Sequence, residues 1–399
     1  MVDINLKTEV PNSKTQEMLA DLHRYEPYDM QPHLPVIWDR AKGHNVTDIF
    51  GNTYLDFTST IFVANTGHRS IELDLIKQAK KCIHSYTFPT QIRVQAIRAL
   101  HDFLPLFCEK IYLASAGSEV TSWAIRLMRA KNPDRQTIIS LEGAFHGKTG
   151  LAGEIEEQEI KLNPNISIEE TIEFLSDKID TCCGILIESY QGWTARFLPN
   201  DYVQKLVAYC RTHGLSVAFD EIQAGLWRTG KKFAYEWYEV APDLICIGKA
   251  LGGGFPVSAL AGKAELFKSG LGMSSTHSAT PLACASILSV INSLNKIDKR
   301  EYYVRSQSFL SLINVMAHMF TDLIVETNVR GLVASIIFKD KEVADIISRR
   351  LLQKGLLVVN TGKPAIKIGP PLTIPHDALK EGLRIFREVL TESRECLKS

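Results

Sequence analysis

The sequence predicts an α/β protein whose largest part is a mostly parallel sheet covered by helices. Short apolar segments rich in β-branched residues alternate with amphipathic segments between about Ile71 and Asn295. Such alternation is typical of βαβ units, in which helices cover both faces of a sheet. Beyond Asn295 helical and strand-like segments are mixed. We therefore expect an N-terminal arm with part of a small domain over 1–70, a large domain over 71–295, and a small α+β domain over 296–399.

The individual elements are predicted from short stretches of sequence. HNVTDIFGNTYLDF indicates short strands near the start, and KIYLAS, QTIISL, GILIES, SVAFDE and LICIGK follow as strand candidates. The last five have the length and apolar composition of buried strands. SEVTSWAIRLMRA and DYVQKLVAYCRTHG have apolar residues at helical spacing, and the second ends in glycine. Ligands of open parallel sheets bind beyond the carboxyl ends of the strands, so the residues there are the candidates for a site.

Composition excludes several classes of function. Lys plus Arg and Asp plus Glu number 45 each, so net charge gives no reason to expect nucleic acid or an anionic membrane as partner. No apolar run reaches the roughly 18 residues that span a bilayer, and the first residues lack the apolar core of a signal peptide. The eight cysteines include no CxxC pair, which favours reduced core thiols over disulfides or a metal site. We expect a cytoplasmic protein without a metal.

A single lysine, Lys249, follows the apolar strand candidate LICIG and precedes three glycines, Gly252 to Gly254. A solvated amine in a surface turn and an amine that performs chemistry both fit this stretch. The residues that follow the other predicted strands must decide between them.

Two of those positions carry groups that could bind an aromatic cofactor. Asp220 directly follows SVAF, and a buried carboxylate there needs a cationic partner, such as a protonated ring nitrogen. A helix N-cap is the alternative for Asp220. In LEGAFHGKTG, Phe145 could stack on a planar ring, and His146 could be an acid–base group or a structural histidine.

A third position could bind an anion. The small residues of SAGSE lie between a predicted strand and a predicted helix, where backbone N–H groups and the helix dipole favour negative charge. Gly117 would allow close approach of the backbone and Ser118 would add a hydroxyl. An ordinary helix start with Glu119 in its first turn is the alternative. No GxxxxGK[ST] sequence occurs, and no convincing dinucleotide fingerprint is present.

Together these groups provide an anion-binding site, an aromatic ring for stacking, a carboxylate and an amine. Pyridoxal 5′-phosphate requires that set, because its phosphate, ring, ring nitrogen and aldehyde each need a partner. The amine of Lys249 would be reactive if burial or a neighbouring cation kept part of it neutral.

The chain resembles the class III, or ω-, aminotransferases, the group that contains the ornithine and 4-aminobutyrate enzymes. The resemblance covers nearly the whole chain. It includes, in order, RAKGHNVTDIFGNTYLDFTSTIFVANTGH, SAGSE, FHGKTG, IESYQG, DEIQAGLWRTG, GKALGGGFPVSAL, STHSATPLACAS, GLLVV and IKIGPPLTI. It implies a fold-type I enzyme with a seven-stranded sheet, and ping-pong transfer of an amino group from an amine or amino acid to a carbonyl acceptor.

The resemblance also implies roles for individual residues. Lys249 would form the aldimine and move the proton, Asp220 would pair with the pyridine nitrogen, Gln223 would lie near the phenolic oxygen, Phe145 and Ile222 would cover the ring faces, Gly117 and Ser118 would hold the phosphate, and Glu188 and Arg228 would surround the site. Thr276 of a neighbouring subunit would complete the phosphate site, so a homodimer with shared active sites is expected.

Three positions depart from the family's pattern. Ala116 stands where a serine usually precedes the glycine. Trp193 stands where a glutamate usually gates an arginine, and that arginine is replaced by Lys367. A bidentate fork for carboxylates has thus become a point charge. Trp193 and Lys367 are the candidate substrate residues, and the segment between His146 and Glu188 is shorter than usual.

Two other functions remain compatible with the sequence. An aminomutase of the glutamate-1-semialdehyde type would use the same cofactor site without a net donor. A silent scaffold that only binds the cofactor would not need the amine of Lys249.

Overall fold

The computed structural model describes residues 4–30, 34–267 and 270–398. The α-helices are α1 Ser13–Leu22, α2 Ser59–Phe62, α3 Glu72–Ala79, α4 Gln91–Phe103, α5 Gly117–Lys131, α6 Leu151–Gln158, α7 Ile168–Ser176, α8 Asn200–Thr212, α9 Pro281–Asn295, α10 Lys299–Met319, α11 Lys341–Gln353 and α12 His376–Lys398. The strands are β1 Trp38–Lys42, β2 Asn45–Asp48, β3 Thr53–Asp56, β4 Lys110–Ala114, β5 Thr137–Leu141, β6 Ile160–Leu162, β7 Cys182–Glu188, β8 Ser216–Asp220, β9 Leu244–Ile247, β10 Ser258–Gly262, β11 Ile324–Arg330, β12 Val333–Phe338, β13 Leu356–Leu357, β14 Val359–Asn360 and β15 Ala365–Ile368. These elements belong to two compact units, Ser70–Ile297 and Met1–Arg69 with Asp298–Ser399.

The unit Ser70–Ile297 contains a seven-stranded sheet in the order β4-β10-β9-β8-β7-β5-β6. Strands β6, β5, β7, β8 and β9 run parallel, and β10 runs antiparallel to both of its neighbours. The central strands β7, β8 and β9 are buried along their whole length. Sheets covered on both faces have such strands, which explains their continuous apolar sequences. The predicted mostly parallel sheet is confirmed.

The five strands predicted for this unit correspond to β4, β5, β7, β8 and β9. Two further strands, β6 and β10, were not predicted. β10 has the sequence SALAG, in which every residue except Leu260 is small and none is β-branched. At Gly262 a small residue is required, because a Cβ there would lie 2.2 Å from the carbonyl oxygen of Asp243.

The other unit contains both ends of the described chain. One four-stranded sheet has the order β1-β2-β3-β13, and a second has the order β11-β12-β15-β14. β13 pairs in parallel with β3, with Leu356 opposite Leu55. A strand from the C-terminal part therefore completes a sheet that begins near the N-terminus.

Two further findings bear on the classes of function. Within the described ranges, no helix is long and apolar enough to cross a membrane. The same residues include no group of three or more His, Cys, Asp or Glu side chains that could hold a metal ion.

Candidate active site

The carboxyl ends of the parallel strands surround a cavity of about 160 Å³, which we call the lysine cavity. Its walls include Gly117, Ser118, Phe145, His146, Glu188, Asp220, Ile222 and Lys249. These residues follow or end five different strands, which meet at one edge because the sheet is parallel. The sequence-predicted cofactor residues of this set therefore lie together.

Lys249 opens a short 3-10 turn, Lys249–Gly252, directly after β9 and Gly248. Its φ is +42°, in the left-handed region that side chains other than glycine rarely adopt. Burial lowers the pKa of Lys249, and the nearby carboxylates of Asp220 and Glu188 oppose that shift. The amine thus has a larger neutral fraction than a solvated lysine.

Asp220 ends β8 and is held by two donors. Nδ1 of His146 lies 2.9 Å from Asp220 Oδ2, and the backbone N–H of Ile222 donates to Oδ1 over 3.1 Å. Both Asp220 and His146 are buried. Thr121 Oγ1 donates to the carbonyl oxygen of His146 over 2.8 Å, which fixes the histidine backbone. The sequence left open whether His146 is an acid–base group or a structural residue. In the structure its ring contacts the Asp220 carboxylate, so it can position that group.

Glu188, at the end of β7, holds two loops beside the cavity. Its Oε2 accepts hydrogen bonds from the backbone N–H of Phe145 at 2.7 Å and of Gly192 at 2.8 Å. Burial and repulsion by Asp220 raise the pKa of Glu188 to about 7. The rings of Trp193 and Phe145 pack nearly perpendicular to each other, with their centroids 5.4 Å apart. Sequence reasoning placed Glu188 only in the surround of the site and missed this bond to the aromatic wall.

The first turn of α5 forms another wall. The Glu119 carboxylate accepts from the N–H groups of Ser115 at 2.8 Å and Ala116 at 2.9 Å. The N–H groups of Gly117 and Ser118 belong to the first turn, where no intrahelical acceptor exists. A Cβ on Gly117 would lie 3.0 Å from Ile222 Cδ1. Glycine thus keeps this helix start open, and Ala116 in place of serine leaves its backbone donors intact.

Other predicted residues lie outside the walls of the lysine cavity. Gln223 Nε2 donates to the carbonyl oxygen of Tyr190 over 3.4 Å. Thr276 lines a different cavity of the same unit, and its carbonyl oxygen is 2.8 Å from Nε2 of His84. Lys367 is a buried residue of β15 in the other unit, with Nζ 6.0 Å from the ring centroid of Phe62.

The residues of the lysine cavity fit pyridoxal phosphate by their chemistry. An amine with a lowered pKa, a buried carboxylate, an aromatic ring, an aliphatic side chain and the first turn of a helix line one cavity. These are the partners that the aldehyde, the ring nitrogen, the ring faces and the phosphate need.

Comparison with known families decides the assignment. The family described as aminotransferase class-III matches residues 28–164 and 151–390. The chain belongs to the class-III aminotransferase family. Members of this family depend on pyridoxal phosphate, and the protein is a pyridoxal-phosphate-dependent aminotransferase. The aminomutase and scaffold alternatives are not favoured.

Individual class-III relatives match most of the chain. An acetylornithine aminotransferase of Caldanaerobacter subterraneus is 31% identical, covering 92% of this chain and 97% of that protein. A 5-aminovalerate aminotransferase of Pseudomonas aeruginosa is 30% identical, with 90% and 94% covered. The solved structure of an acetylornithine aminotransferase from Elizabethkingia anophelis has a TM-score of 0.81 at 25% identity, with 95% and 99% covered. These similarities confirm the predicted fold-type I architecture.

Proposed function

We propose that Lys249 is the residue to which the cofactor attaches and the base that moves the substrate proton. The observation that carries this proposal is the shared cavity of Lys249 and Asp220 at the ends of adjacent strands, with the lysine pKa lowered by burial. A neutral amine is both a nucleophile and a proton acceptor. Gly117 and Ser118 would hold the phosphate, Phe145 and Ile222 would cover the ring, and Gln223 would lie near the phenolic oxygen.

The bound cofactor supplies an electron sink for the carbon that carries the amino group. In each half of the reaction Lys249 would carry a proton between the substrate carbon and the cofactor carbon, in opposite directions in the two halves. Asp220 would pair with the ring nitrogen, and the contact of His146 Nδ1 with Asp220 Oδ2 would hold that carboxylate in place.

For the substrate, we propose a donor with a primary amine at the end of an unbranched chain. The relatives that support this choice are named for acetylornithine, 5-aminovalerate and, at 28% identity in Pectobacterium atrosepticum, putrescine. Trp193 supports it as well, because its indole extends the apolar wall begun by Phe145. Lys367 is proposed to bind a substrate anion through a single charge rather than a bidentate fork.

We further propose a homodimer in which Thr276 of each subunit completes the phosphate site of the other. The segment next to Thr276 supports this, because Ile83, Tyr86 and Phe88 are large apolar side chains left exposed. Such a patch commonly marks a protein interface. The cytosol is the proposed compartment, since all eight cysteines have free thiols.

The visible absorption spectrum of the purified protein tests the proposed substrate. We expect an absorption band of the bound cofactor that is bleached by terminal amines such as putrescine or 5-aminovalerate. A band that responds only to α-amino acids would contradict the proposed donor class. A protein that acquires no band after addition of pyridoxal phosphate would contradict the proposed site.

Substitution of Lys249 tests the attachment point. Borohydride reduction should add the mass of the cofactor to the wild-type chain and not to Lys249→Ala, as measured by intact-protein mass spectrometry. The same variant should lose turnover. Lys110→Ala, at an exposed position of β4, is the matched control and should behave as the wild type. Covalent labelling of Lys249→Ala at the wild-type level would refute the assignment.

A further inference from the structure

Behind the wall formed by 145–147 lies a second cavity of about 250 Å³, which we call the rear cavity. Phe145, His146 and Gly147 line both cavities, so this segment separates them. The remaining walls of the rear cavity include Ser140, Lys148, Lys161 and Trp193. Gly117 and Ser118 are not among its walls, so it is distinct from the helix start proposed to hold the cofactor phosphate.

The rear cavity is lined by two cations, Lys148 and Lys161. Among the described residues neither amine forms an ion pair with a carboxylate. Glu159, close to Lys161 in sequence, is instead paired with Arg129 at 2.6 Å. The cavity is therefore lined by two cations, the half-buried Lys161 and the exposed Lys148, that form no ion pair with a carboxylate among the described side chains.

Two buried polar atoms at this cavity also lack a hydrogen-bond partner. They are Ser140 Oγ and His146 Nε2. Ser140 on β5 pairs with Lys161 on β6, so the serine lies beside one of the two lysines. Buried polar groups in folded proteins are normally satisfied, so these two indicate an occupant with hydrogen-bonding groups.

The chemistry of His146 restricts that occupant. Nδ1 of His146 is engaged with the Asp220 carboxylate over 2.9 Å, so Nε2 is the ring nitrogen that remains for an occupant. Nε2 lies on the side of the ring turned away from Asp220, which lines the lysine cavity and not the rear one. The occupant must therefore present negative charge to the lysines and hydrogen-bonding atoms to both Ser140 Oγ and His146 Nε2.

We propose that the rear cavity binds a phosphate group. The oxygens of a phosphate group point in tetrahedral directions and can together contact Ser140, Lys148, Lys161 and Nε2 of His146. A carboxylate has only two oxygens for these four groups. The phosphate is either free in solution or carried by a phosphorylated substrate. Because His146 contacts Asp220, occupation of the rear cavity is coupled to the lysine cavity.

The test is titration of the holoenzyme with inorganic phosphate, with binding measured by calorimetry and by phosphorus NMR. The holoenzyme is used so that the cofactor occupies the proposed phosphate-binding site at the start of α5, where added phosphate could otherwise bind. We expect saturable binding that is weakened at least about tenfold in Lys161→Met and in Lys148→Met, as expected for loss of a charged hydrogen-bond partner. Lys110→Met should bind phosphate as the wild type does.

Two kinetic results identify the source of the phosphate. If the lysine variants have a higher KM for the amino donor than the wild type and an unchanged kcat, the site binds a phosphorylated substrate. If the KM of these variants equals that of the wild type, the site binds free phosphate. Absence of phosphate binding to the wild type, or wild-type affinity for phosphate in both lysine variants, would overturn the proposal. Since binding is measured without turnover, an enzyme that binds phosphate but transfers no amino group would refute the proposed function alone.

Discussion

At the scale of single residues, Lys249 is both the proposed reactive amine and a residue with a strained backbone. Its φ of +42° is in a region that costs an L-residue roughly 1–2 kcal/mol. Strained residues of this kind cluster at functional sites, where the surrounding structure holds them in place. The glycines at 252–254 indicated a flexible loop in the sequence. The strain on the lysine itself had no sequence signal, because it depends on the path between β9 and the following turn.

The contacts of Glu188 and His146 also show what sequence could not predict. Both residues stood in recognisable motifs, yet their partners are separated from them by 43 and 74 positions. Such pairings arise from the order of strands in the sheet. Asp220 and Lys249 were easier to predict as site residues, because a polar residue at or just beyond the end of an apolar strand is visible in one short stretch of sequence.

Glu221 provides a prediction about pH. It is fully buried, and desolvation raises its pKa to about 8 although Ser189 Oγ and two backbone N–H groups donate to it. The folded protein thus holds this proton more tightly than the unfolded chain, whose ordinary value is 4.5. The free energy of unfolding should therefore fall as pH rises from about 4.5 to about 8.

Glu221→Gln removes that titration while keeping the shape of the side chain. We expect the stability of this variant relative to wild type to increase by on the order of a few kcal/mol between pH 5 and pH 8.5, measured by urea denaturation. Glu173→Gln, at an exposed position of α7, should show no such trend. A constant difference between Glu221→Gln and wild type across this range would contradict the raised pKa.

At the scale of elements, the strands most easily predicted are those buried by helices on both faces. β7, β8 and β9 read as apolar runs because no side of them contacts water. β10 was missed because it must approach its neighbour closely and therefore has small residues with weak strand preference. Tertiary packing, rather than local preference, makes β10 a strand.

The start of α5 provides a prediction about helix capping. The Glu119 side chain accepts from the N–H groups of Ser115 and Ala116, in a position where Ala116 has no oxygen of its own to cap the helix. Glu119→Ala should therefore lower the free energy of unfolding by about 1 kcal/mol. Glu173→Ala, exposed on α7, is the matched control, and chemical denaturation measures both.

The same substitution should affect the cofactor. The loop that precedes Gly117 would lose its two hydrogen bonds, so the dissociation constant for pyridoxal phosphate should rise in Glu119→Ala. Fluorescence titration of the apoprotein measures this constant. A variant that loses stability but keeps wild-type cofactor affinity would separate the helix cap from the proposed phosphate seat.

At the scale of the whole molecule, the proposed dimer predicts a specific pattern of complementation. Thr276→Asp should repel the cofactor phosphate, and Lys249→Ala should remove the attachment point. If Thr276 acts on the partner's site, a hybrid dimer of the two variants contains one site with both defects and one site with neither. We expect about half of the wild-type activity from purified hybrids, although each parent homodimer is inactive.

Differently tagged subunits allow that hybrid to be isolated by two affinity steps. Cofactor content should be close to one molecule per hybrid dimer, with wild-type affinity. A hybrid with two damaged sites would place Thr276 and Lys249 of the same subunit together and would refute the exchange.

The pairing of β13 with β3 has a consequence for how the chain is made. Residues 70–297 form one contiguous unit that can fold as soon as it leaves the ribosome, whereas β3 must wait for Leu356. At roughly 5–20 residues per second, that delay is about 15–60 seconds. During this interval the edge of β3, including the fully buried Leu55, has no partner. The newly made N-terminal segment is thus the part of the protein that most needs a chaperone.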